Sequence, residues 1–209
     1  EAQNVVRCCE VAELRKASEQ LPELCEGFGV KVLMAEGERL TVNQLKAYRK
    51  ILKGITVTTV GTDDLIDSLR LIKTEDELQS VIRAQQIAEK AFDHILGFIK
   101  EGVTEREIAL ELDFFMLRNG AEAISFETIA VSGANSSKPH GVPTDKKVAK
   151  GDFITMDYGA VVNGYHSDMT RTVAVGEVSD KQVEVYNTVL EAQLRALAVL
   201  REGVKCSEA

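Results

Sequence analysis

The dipeptide Asn163-Gly164 lies between two apolar, strand-like runs, Phe153–Val162 and Met169–Val175. Both residues tolerate the positive φ of a type I′ turn, making this the strongest short-range hairpin signal in the chain. A two-residue turn also sets the register of the strands it joins. With Asn163 and Gly164 at its centre, Asp157 pairs with Thr170, and Asp168 becomes the diagonal neighbour of Asp157 on one sheet face. Diagonal Cβ atoms lie ~7 Å apart, so the two carboxylates can reach a shared point. Like charges at that range repel unless a cation or a shared proton intervenes. Hard divalent cations favour such oxygen ligands. Asp157 also follows Phe153-Ile-Thr-Met156, a run that reads as buried, where an uncompensated carboxylate is costly. The plainer alternative is a pair of solvated surface charges, and a bulge in the hairpin would alter the geometry.

The remaining text alternates helix and strand signals. Residues 4–28 read as one or two helices broken near Pro22, followed by a strand at Val30–Met34. Thr41 with Gln44 opens a helix through Leu52, Gly54 stops it, and Ile55–Val60 reads as a strand. Thr74 with Glu77 caps the longest helical pattern, which runs to Lys100 with Gly102 beyond it. Thr104 with Glu107 caps the next helix, stopped by Gly120. Thr128–Val131 is strand-like, 133–147 is a polar loop, and Ser179 with Gln182 caps a helix through Leu200, with Gly203 as its stop. The pattern predicts an α/β (α+β) architecture with a domain boundary near 69–73 and no internal repeat.

Charge excludes several classes of partner. The 209 residues carry 25 basic and 33 acidic side chains, a net charge of −8, with no long Lys/Arg run. Nucleic acid and anionic membrane are therefore poor partners, and no apolar window approaches the ~18 residues a membrane span needs. Cys8, Cys9, Cys25 and Cys206 form no CxxC pair and read as reduced thiols in a cytoplasmic protein. Neither GxSxG, a P-loop nor GxGxxG occurs. His140 stands in a loop stiffened by Pro139 and Pro143, His166 shares the Asp168 face by strand parity, and His94 reads as a packing or surface residue of the long helix.

The stretch SFETIAVSGANSSKPHGVPTDKKVAKGDFITMDYGAVVNGYHSDMTRTVAVGEVSDKQ, residues 125–182, closely resembles the creatinase/aminopeptidase metallopeptidases, specifically the Xaa-Pro aminopeptidases and prolidases. Ile72-Lys-Thr-Glu-Asp-Glu77 is similar to that family's entry into its catalytic domain. The resemblance implies a pita-bread catalytic fold over 70–209, present in part, preceded over 1–69 by part of a creatinase-type N-terminal α/β domain. It implies two divalent metal ions, manganese foremost with cobalt or zinc as alternatives. Asp157 matches the carboxylate that chelates one metal and Asp168 the one that bridges both. His140 matches the histidine that meets the substrate, His166 is a candidate substrate contact, and Thr170 or Thr172 would hydrogen-bond around the metal ligands. The implied substrate is a peptide with proline at its second position, and the implied assembly is a homodimer.

The family's remaining ligands, one histidine and two glutamates, fall beyond the point that matches Ala209. The chain thus reads as an interior piece of a longer enzyme, with two metal ligands of five. The expectation for the whole is an Xaa-Pro aminopeptidase, with an Xaa-Pro dipeptidase or a non-catalytic binding protein of the same fold as alternatives. For residues 1–209 alone it is weak or absent metal binding and no peptidase activity. Aspartates at both matched positions weigh against a binding module and against metal-free creatinase-like hydrolysis.

Overall fold

The computed structural model describes residues 10–13, 15–59 and 65–208. Contacts divide the chain into two units, Glu1–Lys73 and Thr74–Ala209. In the first, β1 (Val32–Met34) and β2 (Thr56–Thr58) pair in parallel. Parallel strands require a crossover, and α2 (Val42–Ile51) supplies it. The Thr41 hydroxyl accepts from the Gln44 N–H, and the Gln44 side chain accepts from the Thr41 N–H. Cys25, Leu52 and Val57 form a small buried core. The helix α1 (Ala17–Gly27) runs through Pro22, contrary to the expected break. Pro22 falls in the second turn, where it removes a single amide donor near an end that already lacks several bonds. A short helix, α3 (Leu65–Leu71), ends this unit. The helical reading of residues 4–9 and 14, the strand end at Val60, and Cys8 and Cys9 lie outside the described residues.

In the second unit α4 (Glu75–Phe98) and α5 (Glu105–Arg118) pack together, each opened by a complete capping box, Thr74 with Glu77 and Thr104 with Glu107. Ala84, Ala88 and Ala91 bring α4 close to its neighbours, and Ile87 and Ile95 fill the space beside them. From α5 come Ile108, Leu112 and Met116, and from the sheets Ile154, Met156, Tyr158 and Val162. Fully burying a side chain such as Ile108 or Leu112 stabilises by roughly 1.5–3 kcal/mol. His94 lies on the exposed side, 2.6 Å from Glu111 and stacked on Phe115.

Two three-stranded antiparallel sheets complete the unit: β3 (Ala123–Ile124), β6 (Ala160–Val162) and β7 (Tyr165–His166) form one, and β4 (Ile129–Ser132), β5 (Phe153–Tyr158) and β8 (Met169–Ala174) the other. The hairpin has the expected register on both sides, pairing Val161 with His166 and Asp157 with Thr170. No residue is inserted, yet it divides between the sheets at Gly159 and Ser167-Asp168. A Cβ at Gly159 would overlap the Ser167 carbonyl oxygen, so only glycine permits this crossing. At the break the Ser167 N–H donates to the Ala160 carbonyl, and the Ser167 hydroxyl accepts from the Ala160 N–H and donates to the same carbonyl.

The last helix, α6 (Asp180–Val199), starts from the Ser179–Gln182 capping box and has no buried residue. Its ends are similar to those of α4. Both have capping boxes at the start and extended residues, Ile99 and Leu200, at the stop. Both are followed by Glu-Gly-Val with a left-handed glycine, Gly102 and Gly203. The likeness is confined to the caps and some apolar positions, and α6 is four residues shorter (20 against 24).

Candidate active site

Asp157 is the last residue of β5 paired on both sides, with Ile129 and Thr170, before the chain crosses between sheets, and Asp168 lies in the two-residue link from β7 to β8. The hairpin register brings the two carboxylates together. Asp157 Oδ1 is buried and has no hydrogen-bond partner among the described residues. Asp168 keeps an exposed edge, yet its carboxyl is held above the usual carboxylate range, first by desolvation and then by the charge and contact of Asp157. The two groups therefore constitute a strained like-charge pair that a cation would relieve.

Both face a cleft of about 400 Å³. Phe126, Glu127, Thr128 and Ile129 form one wall at the start of β4, and His140, Gly141, Val142 and Pro143 form another. The lining holds three carboxylates and neither lysine nor arginine. The His140 loop leaves β4 through a 3-10 turn, Gly133–Ser137, and folds back over the strand. A Cβ at Gly141 would come within 2.9 Å of Val131 Cγ1, so glycine lets the loop backbone settle there. The His140 imidazole is exposed and makes no hydrogen bond among the described residues.

Asp157, Asp168 and His140 are thus brought to one cleft. His166 is exposed at the end of β7, in the other sheet, and is not part of the cleft lining. The Thr172 hydroxyl lies 3.2 Å from that of Thr155, and Thr170 pairs with Asp157 across the strands. Neither threonine side chain hydrogen-bonds to Asp157 or Asp168 among the described residues. Sequence reasoning did not find Phe126, Glu127 and Ile129, nor the Asp113 carboxylate that accepts from the Thr128 hydroxyl at 2.5 Å behind the cleft wall. Nor did it find Glu105, buried beneath the His140 loop.

Among the described residues no group of three or more His, Cys, Asp or Glu is arranged to hold a metal ion. The pair present nevertheless fits part of a hard-cation site: two carboxylates, one with a buried oxygen lacking any partner.

The mixed α/β architecture, with its hairpin carboxylate pair beneath a histidine loop, places the chain in the pita-bread fold class. Residues 79–209 match the metallopeptidase family M24, and the chain belongs to that family. It is 41% identical over 184 residues to the uncharacterized peptidase YqhT of Bacillus subtilis, covering 88% of this chain and 52% of that protein. With the Xaa-Pro dipeptidase of Pyrococcus furiosus it shares 44% identity over 146 residues, covering 70% of this chain and 42% of that protein. Its structure is similar to that of the Xaa-Pro dipeptidase from Bacillus anthracis, with TM-score 0.84 and 42% identity over 93% of this chain and 53% of the other. The X-Pro aminopeptidase from Thermotoga maritima gives TM-score 0.84 and 35% identity, covering 92% of this chain and 54% of the other. The chain spans about half the length of these relatives.

Proposed function

We propose that the full-length protein hydrolyses the peptide bond between an N-terminal residue and a following proline, using divalent metal held in part by Asp157 and Asp168. The observation that carries this reading is the unpartnered Asp157 oxygen beside Asp168, in a cleft whose opposite wall carries His140. A bound cation would supply a Lewis acid and a water of lowered pKa. The chain's own residues do the rest. Asp157 and Asp168 hold the positive charge at the hairpin crossing. An N–H of the His140 imidazole donates to the carbonyl oxygen of the scissile amide, stabilising the charge that develops there. Phe126, Ile129, Val142 and Pro143 present an apolar wall suited to a pyrrolidine ring.

Relatives named Xaa-Pro dipeptidase favour dipeptides as substrates, and a relative named X-Pro aminopeptidase keeps longer peptides in play. The test assays the full-length product with Mn²⁺ on Xaa-Pro dipeptides and on longer Xaa-Pro peptides, beside its Asp168→Asn variant. Mn²⁺-dependent cleavage that the variant loses supports the reading, and cleavage of dipeptides alone assigns the dipeptidase form. Absence of Mn²⁺-dependent cleavage, or an Asp168→Asn variant with unchanged turnover, overturns it. The 209-residue chain, with two carboxylates in place of a full ligand set, should show no turnover in the same assay.

A further inference from the structure

Glu105, the first residue of α5, is completely buried. A buried carboxylate is tolerated only when its oxygens are saturated by donors, and here they are. Oε1 accepts from the Ser132 N–H at 2.7 Å, the Ser132 hydroxyl at 3.0 Å and the Asn135 amide at 3.3 Å. Oε2 accepts from the Thr144 N–H at 3.0 Å and the Thr144 hydroxyl at 2.7 Å. Burial pushes its pKa up, but the bonds from Thr144, Ser132 and Asn135 outweigh this and leave it below the usual value. The carboxylate is therefore ionised and fully occupied.

Its partners matter more than their number. Ser132 ends β4 and Thr144 closes the loop, so one carboxylate fastens both ends of Gly133–Pro143. Lys146 reinforces the entry end, donating to the Ser132 hydroxyl at 2.8 Å and to Asp152 at 2.7 Å. The Glu105 and Arg106 N–H groups donate to the Lys146 and Thr144 carbonyls, fixing the exit to the start of α5. His140 lies within this closed loop, and with no hydrogen bond to its ring among the described residues, its place over the cleft is set through the loop backbone that carries it.

We propose that Glu105 is a positioning residue for His140, its buried carboxylate clamping both ends of the 133–143 loop so that the imidazole is held over the cleft. This rests on the reading of His140 as the group that meets substrate. Glutamine cannot replace the carboxylate. With acceptors needed toward both Ser132 and Thr144, its amide NH₂ must face a backbone N–H at one end.

The test compares the 209-residue chain with its Glu105→Gln variant. The sequence has 3 histidines, so His94 and His166 serve as internal references for the imidazole NMR signal of His140. The expected result is a shifted or broadened His140 signal and at least tenfold faster amide exchange over 133–144. The His94 and His166 signals and the exchange of α4 should stay unchanged. Should Glu105→Gln not fold, Thr144→Val removes one hydroxyl donor at the exit end, and a threefold or greater acceleration confined to the loop is expected. An unaltered His140 signal and loop exchange overturns the proposal, as does a disturbance spread equally through α4 and both sheets, which marks a merely structural role. In the full-length product, Glu105→Gln should lower kcat at least tenfold with KM and the Mn²⁺ requirement within twofold of wild type. Unchanged kcat also overturns it. If the full-length product shows no peptidase activity, the functional reading fails, while the NMR arm still decides whether Glu105 holds the loop.

Discussion

Replacing Asp157 by asparagine should stabilise the 209-residue chain in the absence of metal. The native carboxylate combines two unfavourable features: Oδ1 is buried without a partner, and Asp168 places a second negative charge beside it. Asparagine leaves the buried Oδ1 position unpaired, so the gain comes from the charge contact, and a hydrogen bond to a charged group is worth about 1.5–3 kcal/mol. Asparagine keeps the shape, removes the charge, and offers an amide N–H that the Asp168 carboxylate can accept, so a like-charge contact becomes a hydrogen bond. Recovering about 1–2 kcal/mol corresponds to a Tm increase of about 2–8 °C for a chain of this length. The assay is thermal unfolding by circular dichroism at pH 7 in the presence of a chelator, repeated with excess Mn²⁺ in its place. Any metal-induced gain in Tm should belong to wild type and vanish in the variant. Most substitutions at half-buried positions destabilise, so the sign alone is diagnostic. A variant that melts at or below the wild-type temperature in chelator would refute the argument that this pair is strained for binding a cation.

Other substitutions probe the scaffold. Gly159→Ala forces a Cβ into the Ser167 carbonyl, and should cost about 3 kcal/mol or more in denaturant unfolding; a loss below ~1 kcal/mol would mean the hairpin crosses between sheets in some other way. Burial raises the Asp113 carboxyl above its usual value, with the Thr128 hydroxyl opposing. The folded state thus binds this proton more tightly than the unfolded one, and stability falls as pH rises from the ordinary carboxylate value through the raised one. Asp113→Asn still accepts from Thr128 and removes that slope, so its Tm advantage over wild type should be larger at pH 7 than at pH 4; an equal margin refutes it. Leu112→Ala, in the core of the second unit, should cost about 2–5 kcal/mol, whereas Leu190→Ala on exposed α6 should stay within ~0.5 kcal/mol in unfolding measured on the same chain.

The features legible in the sequence are those set by local chemistry. The capping boxes at Thr41, Thr74, Thr104 and Ser179 all form, because a hydroxyl and an amide or carboxylate three residues later need nothing beyond the first helical turn. The Asn163-Gly164 turn sets the register that brings Asp157 and Asp168 together, again from two residues. What stayed hidden depends on distant partners. Gly159 looks like an ordinary strand residue until the Ser167 carbonyl is known to lie against it. The two-residue strands β3 and β7 carry too little periodicity to register, since pairing with β6 alone defines them. Glu105 is the most instructive case. An acidic residue in the first turn of a helix normally reads as a surface charge that favours the helix dipole. Its burial arises from Ser132 and Thr144, 27 and 39 residues away, and no local pattern announces that.

The pair α4 and α6 shows how far helix sequence and helix environment can diverge. Aligned on Glu101-Gly102-Val103 and Glu202-Gly203-Val204, four of the six buried positions, Ala84, Ala88, Ala91 and Ile95, correspond to Val185, Val189, Ala192 and Ala196, while Ser80 and Ile87 correspond to Lys181 and Thr188. The small apolar face that lets α4 sit close beneath α5 and the sheet thus recurs on α6. There, however, all four positions are exposed, as are Tyr186, Leu190, Leu194 and Leu197. Caps and propensity suffice to define a 20-residue helix, but most helical stability in proteins comes from packing an apolar face. α6 therefore has the sequence of a core helix and the surroundings of a surface one, and an apolar stripe of this extent favours association. The same separation governs the cleft. Its two carboxylates and the loop above them are fixed by contacts within Thr74–Ala209, and among the described residues no third His, Cys, Asp or Glu joins the pair in a metal-holding group. Positioning of His140 and catalysis by the site are separable properties, the first measurable by NMR and amide exchange on the 209 residues whether or not they turn over peptide.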